Sequence, residues 1–173
     1  YENNTGSQCV YIGNEAGYKN TLGQNTMIGV SAGKFSTTSE RNTFIGYNAG
    51  RGKGESVSDN NTGDQNIAIG YEAGYNLVSG YQSVLIGNNA GRNNEAGVKS
   101  IMIGPNAGQN STSSKSIFIG STDSNSSGVG IITTGNYNIF TGVSVGENNT
   151  SGSENIFTGS HAGNKNTTGS ENI

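Results

Sequence analysis

The chain has 173 residues, of which 30% are hydrophobic, 12% charged and 8% aromatic, with 29 Gly, 26 Asn and no Trp. Such a composition is poor in helix formers and rich in turn residues, which excludes a long helical bundle, and no stretch approaches the roughly 20 apolar residues of a membrane-spanning helix. A net charge of −3, with nine Lys and Arg scattered along the chain, leaves no footprint for nucleic acid and no basic face for a membrane surface.

In chain order, nine copies of one pattern appear, each a short apolar run closed by a Gly: Gly13, Gly29, Gly46, Gly70, Gly87, Gly104, Gly120, Gly142 and Gly159. Successive spacings are 16, 17, 24, 17, 17, 16, 22 and 17 residues, the signature of a repeat architecture with two insertions. Residues 1–8 read as the second half of a repeat and Glu171-Asn172-Ile173 as the start of a tenth, so residues 1–173 are expected to be one repetitive segment of a longer chain.

Three residues before each anchor stand Val10, Thr26, Thr43, Ile67, Val84, Ile101, Ile117, Ile139 and Ile156. One before it stand Ile12, Ile28, Ile45, Ile69, Ile86, Ile103 and Ile119, then Thr141 and Thr158. These two columns share one face of an extended strand, and all are β-branched. Between them lie Tyr11, Met27, Phe44, Ala68, Leu85, Met102, Phe118, Phe140 and Phe157, pointing to the other face and also apolar. Four before the anchor the residue is Asn or Ser in every copy but the first, which has Cys9.

After the anchor come two variable residues and then Ala-Gly, as in Ala16-Gly17 and Ala90-Gly91; copy seven has Asp123-Ser124 there and copy eight Val145-Gly146. A hydroxyl residue followed by Gly recurs later in the repeat, as in Thr62-Gly63 and Thr168-Gly169, so each repeat contains two or three sharp corners. Like strands that return after about a dozen residues suit a parallel ladder rather than hairpins. The expected fold is therefore all-β: a β-solenoid or β-roll of about ten stacked coils of about 17 residues, a rod roughly 45–50 Å long. Like residues then stack on like, and an Asn column can hydrogen-bond along the stack.

A self-sufficient solenoid needs one buried face per strand, yet both faces here are apolar. Strands hydrophobic on both sides are covered on both sides. One stripe fills the inside of the coil; the other would form an exposed apolar band, which marks an interface. The pattern leaves open which stripe is which. It predicts a parallel homo-oligomer of closed cyclic symmetry, with three chains suiting a fibre.

The segments Asn66-Ile67-Ala68-Ile69-Gly70 and Ser83-Val84-Leu85-Ile86-Gly87 resemble the head repeats of YadA-like trimeric autotransporter adhesins, which carry a Ser-Val-Ala-Ile-Gly core. The Asn-Thr-x-Ile-Gly-x-x-Ala-Gly pattern also looks like repeats of phage tail fibres and other trimeric bacterial surface fibres. The resemblance extends over nearly the whole chain, with a longer period than the adhesin head and with insertions. It implies a left-handed coil, a homotrimer, and an extracellular location on a bacterial cell surface or a phage particle. The implied function is attachment to a cell-surface glycan or protein receptor. The alternatives are a structural spacer presenting a distal tip and a glycan-degrading tailspike.

Chemistry-bearing residues are sparse. One Cys and one His, Cys9 and His161, permit neither an intrachain disulfide nor a Cys/His zinc site. Glu15 and Glu72 share a corner position but lie several repeats apart, whereas a glycosidase needs two carboxylates about 5–10 Å apart. No Gly-Lys-Ser/Thr phosphate loop and no Gly-Gly-x-Gly-x-Asp calcium repeat is present. No enzyme, cofactor or metal site is therefore expected. Contact residues are expected instead on the insertions at 51–65, with Arg51, Lys53, Glu55 and Asp59, and at 121–137, and on the corner tyrosines Tyr47, Tyr71, Tyr75 and Tyr81.

Overall fold

A computed structural model describes residues 7–54, 56, 60–122 and 128–173. Among them the only regular elements are nine strands: β1 (Val10–Ile12), β2 (Thr26–Ile28), β3 (Thr43–Ile45), β4 (Ile67–Ile69), β5 (Val84–Ile86), β6 (Ile101–Ile103), β7 (Ile117–Ser121), β8 (Ile139–Val143) and β9 (Ile156–Thr158). They form one sheet in chain order, every neighbouring pair parallel. The register follows the repeat, with Tyr11 beside Met27, Met27 beside Phe44, and so on to Phe140 beside Phe157. This is the stacked-coil architecture that the period requires, one coil per repeat.

Most strands are three residues long because the anchor Gly ends each one at a positive φ. Gly87, at φ +134°, would place a Cβ 2.5 Å from the Gly104 carbonyl oxygen of the next coil, so only glycine lets the coils stack at this corner. Past the Ala-Gly corner the chain runs back along a second hydrogen-bonded side: the amides of Gly17, Lys19 and Thr21 donate to the carbonyls of Ala32, Lys34 and Thr37 at 2.9, 3.1 and 2.9 Å.

The structure assigns the two apolar stripes. The middle strand residues Met27, Phe44, Ala68, Leu85, Met102, Phe118 and Phe140 are fully buried and pack against the corner residues Ala16, Ala32, Ala49, Ala73 and Ala107; Phe157 and Tyr11 close the ends of this cluster. Phe118, Phe140 and Phe157 stack with ring centroids 5.1 and 5.2 Å apart. The interior is narrow enough that a Cβ on Gly50 would lie 2.5 Å from the Phe44 ring, which explains the small corner residues. The β-branched columns point outward instead: Ile12 is 58% exposed and Ile67, Ile119, Ile139 and Ile156 between 37% and 40%.

The Asn/Ser column lies inside and links the coils. Asn42 and Asn66 donate backbone N–H groups to the Oδ1 atoms of Asn25 and Asn42, at 2.9 and 2.8 Å. The ladder continues through Ser83, Ser100 and Ser116, whose hydroxyls accept the amides of Ser100, Ser116 and Asn138 at 3.3, 3.5 and 3.1 Å. In a chain with so little apolar volume, this column satisfies buried polar groups that would otherwise be costly. Cys9 replaces the amide at the head of the column; it is half-buried and its thiol donates to the carbonyls of Ser7 and Leu22 at 3.4 and 3.6 Å.

Both insertions fall between coil corners. In coil three the chain leaves the second side after Arg51, whose carbonyl accepts the Phe35 amide at 2.8 Å, and rejoins it at Asn61, whose amide donates to the Phe35 carbonyl at 2.8 Å. In coil seven the corner motif is displaced rather than lost. Val129-Gly130 occupies it, with Gly108 N–H donating to Val129 O at 2.8 Å and Gly130 N–H to Val145 O at 3.0 Å. Asp123-Ser124, placed at that corner by sequence spacing, lies outside the described residues.

Candidate functional site

Stacking the repeats turns each corner position into a column. The column five residues past the anchor runs Tyr18, Lys34, Arg51, Tyr75, Arg92, and the next one contains Lys19 and Phe35. Phe35 is buried, yet it belongs to the outer side of the coil rather than to the interior cluster. It is covered by cations: Arg51 lies 4.6 Å from its ring centroid, Lys34 5.2 Å and Lys19 5.3 Å. The Arg51 guanidinium also lies 5.2 Å from the Tyr75 ring, and Arg92 lies over that same ring at 4.8 Å. Phe35, Arg51, Tyr75 and Arg92 therefore alternate ring and cation across successive coils, an arrangement worth about 0.5–2 kcal/mol per contact.

Two carboxylates border this column. Glu15 accepts from Lys34 at 2.9 Å and from the Ser31 hydroxyl at 3.1 Å, and these contacts hold its carboxyl below the usual range. Glu72 accepts from Arg92 Nε at 2.6 Å. The Glu72 charge in turn pushes up the pKa of Tyr71. Tyr71 stacks on Tyr47, with centroids 5.3 Å apart and planes 11° from parallel, and the two remain 50% and 49% exposed. Glu15 and Glu72 stand in coils one and four, about 14 Å apart by ladder spacing, wider than a glycosidase pair.

Of the expected contact residues, Tyr47, Arg51, Tyr71 and Tyr75 gather on this corner of coils three and four. Lys53 lies nearby on the insertion and pairs with Glu95 at 3.0 Å. Glu55 and Asp59 fall outside the described residues. Tyr81 stands apart, at the opposite corner ahead of β5, where it lines a shallow depression of about 200 Å³ with Thr62, Asp64, Gln65, Ser79 and Gln82. Phe35, Glu72 and Arg92 were not singled out by the repeat pattern. The available signal was columnar: Lys19, Lys34, Arg51, Arg92 and Phe35 fall together only when the two columns beyond Ala-Gly are aligned.

No family model matches the chain, and neither the curated proteins nor the solved structures give a match. The corner is therefore interpreted from its own chemistry. Among the described residues, the cations Lys19, Lys34, Arg51 and Arg92 cluster on the Phe35 and Tyr75 rings, with Glu15 and Glu72 pairing Lys34 and Arg92 and with Glu95 pairing Lys53 close by. Among the described residues no group of three His, Cys, Asp or Glu side chains is arranged to hold a metal ion. His161 occupies the same corner column as Glu15 and Glu72, at φ +57°, its amide bonded to the Val143 carbonyl at 2.9 Å.

Proposed function

We propose that the chain is a segment of a homotrimeric extracellular fibre, carried on a bacterial cell surface or a phage particle, that works in attachment to a cell or glycan surface. The observation that carries this reading is the outward Ile/Val/Thr band. It runs over all nine strands, about 40 Å long by ladder spacing and two side chains wide. Parallel sheets are covered on both faces, and the outward columns here are half-buried or exposed in a single chain. A second and third copy bring identical bands to a common axis, with Ile86 of each chain at one height and Ile103 at the next. Three chains and a left-handed coil follow from the likeness to YadA-like heads and tail-fibre repeats.

Attachment is supported by the exposed Tyr47–Tyr71 pair and the cation-rich corner beside it, which a three-chain rod would present three times over, so that weak contacts add by multivalency. A second observation favours a spacer. Asn76 donates to Asn93 at 2.6 Å and Asn93 to Asn110 at 2.5 Å, so this outer column spends its amides on neighbouring coils rather than on a ligand. A glycan array separates the readings. Attachment predicts retention that Tyr47→Ala with Tyr71→Ala abolishes while mass and circular dichroism stay unchanged. No retention on any glycan or cell surface would favour the spacer, and cleavage of an arrayed glycan would favour a tailspike.

A further inference from the structure

Arg51 differs from the cations around it. Lys34, Lys53 and Arg92 each hold a carboxylate, at 2.9, 3.0 and 2.6 Å. Among the described residues Arg51 has no carboxylate within ion-pair distance, although its charge adds to the pull of Lys34 on Glu15, and its hydrogen bond from Nη1 to the Gly52 carbonyl is long, at 3.4 Å. Its guanidinium nevertheless lies against two rings, 4.6 Å from the Phe35 centroid and 5.2 Å from that of Tyr75, which belong to the coils before and after its own. The N–H donors of a guanidinium lie in the plane of the group, at its edge. The flanking rings also fix its orientation, so little further entropy is lost when that edge is used.

We infer that Arg51 anchors a binding site for an acidic glycan, its guanidinium edge taking a carboxylate or sulfate through paired hydrogen bonds while the sugar ring lies against Tyr47 and Tyr71. The inference rests on the attachment reading and names its ligand class. Two-oxygen anions match the donor fork of arginine, and the cations gathered on the Phe35 and Tyr75 rings favour an anion at modest ionic strength. The exposed tyrosine pair supplies what an anion alone would not need: amphipathic aromatic surface suited to a ring with one apolar face.

The test is equilibrium binding of the full chain to four probes: a polygalacturonate oligomer for carboxylate, a heparin oligosaccharide for sulfate, dextran as the neutral sugar and polyglutamate as the acidic polypeptide. The expected result is binding to one or both acidic glycans, weakened by added salt, with dextran inert. Arg51→Gln should lose about tenfold or more in affinity, as expected for a charge-assisted hydrogen-bonded pair. Tyr75→Ala, which unclamps the guanidinium, should lose less. Lys115→Gln removes a charge from the opposite corner, in the column of Gln82, where the Lys115 ammonium donates to the Tyr137 hydroxyl at 2.8 Å, and should bind as the parent does. Each variant is checked for unchanged mass and circular dichroism.

Polyglutamate binding as tightly as the glycans would overturn the proposal, as would an Arg51→Gln chain that is folded and binds undiminished. Absence of binding to either acidic glycan would overturn it too. Retention on other surfaces that is indifferent to Arg51 would sink this site and leave attachment standing, whereas no retention anywhere would sink both.

Discussion

The side-chain oxygen of Asn66 accepts the backbone N–H of Ser83, one coil along, at 3.0 Å. The same amide group donates from Nδ2 to the Gly80 carbonyl at 2.7 Å, so one buried side chain satisfies a donor and an acceptor of the next coil. Asn66→Ala leaves both unpaired and should cost about 3 kcal/mol. Asn66→Ser should cost less, because Ser83 already plays the accepting part toward Ser100. Thermal melts of the three chains check the order, and a neutral alanine variant would contradict the role given to the column.

At the anchor corner the constraint is backbone against backbone. Gly87→Ala combines a φ that side chains rarely adopt with a Cβ 2.5 Å from the Gly104 oxygen. The expected loss exceeds the roughly 1–3 kcal/mol of an unfavourable backbone conformation alone. The neighbouring exposed position serves as control: Asn88→Ala should leave the melting temperature nearly unchanged.

Phe140 stacks between Phe118 and Phe157 in the coil interior. Phe140→Ala opens a cavity that the small corner residues cannot fill and should cost about 3–5 kcal/mol in denaturant unfolding. Phe140→Leu, which keeps most of the volume and matches Leu85 of another coil, should cost less.

Tyr11 donates its hydroxyl to Asn20 Oδ1 at 2.7 Å. Burial, reinforced by the neighbouring Cys9, raises the pKa of this phenol above its ordinary value of 10.0. A raised pKa in the folded state means that the folded chain holds the proton more tightly than the unfolded one. The resulting stability is complete below the ordinary value and is lost as pH climbs from there toward the folded value. Melting temperature should therefore fall in strong alkali, and the fall should be shallower in Tyr11→Phe. Equal slopes would contradict the assignment.

Much of this fold was legible because a repeat multiplies every weak signal. One apolar triplet before one Gly says little, but nine in register specify strand, corner and parallel stacking. The orientation of the stripes was not legible, since Ile69 and Leu85 are equally apolar and only the tightness of the interior, filled by Phe rings against Ala, decides which stripe enters. The coil-seven corner was missed because the insertion shifts it, although Gly128-Val129-Gly130 carries the small-residue signature. At the candidate site the tyrosines and Arg51 were visible as residues, but not as a cluster. Their proximity, and the parts played by Phe35, Glu72 and Arg92, arise between coils rather than along the chain.

The outward band is the feature on which the functional account turns, and the solution mass of the chain tests it most directly. Light scattering should give three chains of 17.8 kDa each, and Ile86→Asp with Ile103→Asp should reduce that to one chain without loss of the β spectrum. A folded, monodisperse monomer of the unaltered chain at micromolar concentration would contradict the account, because the Ile/Val/Thr band would then be stable in water uncovered.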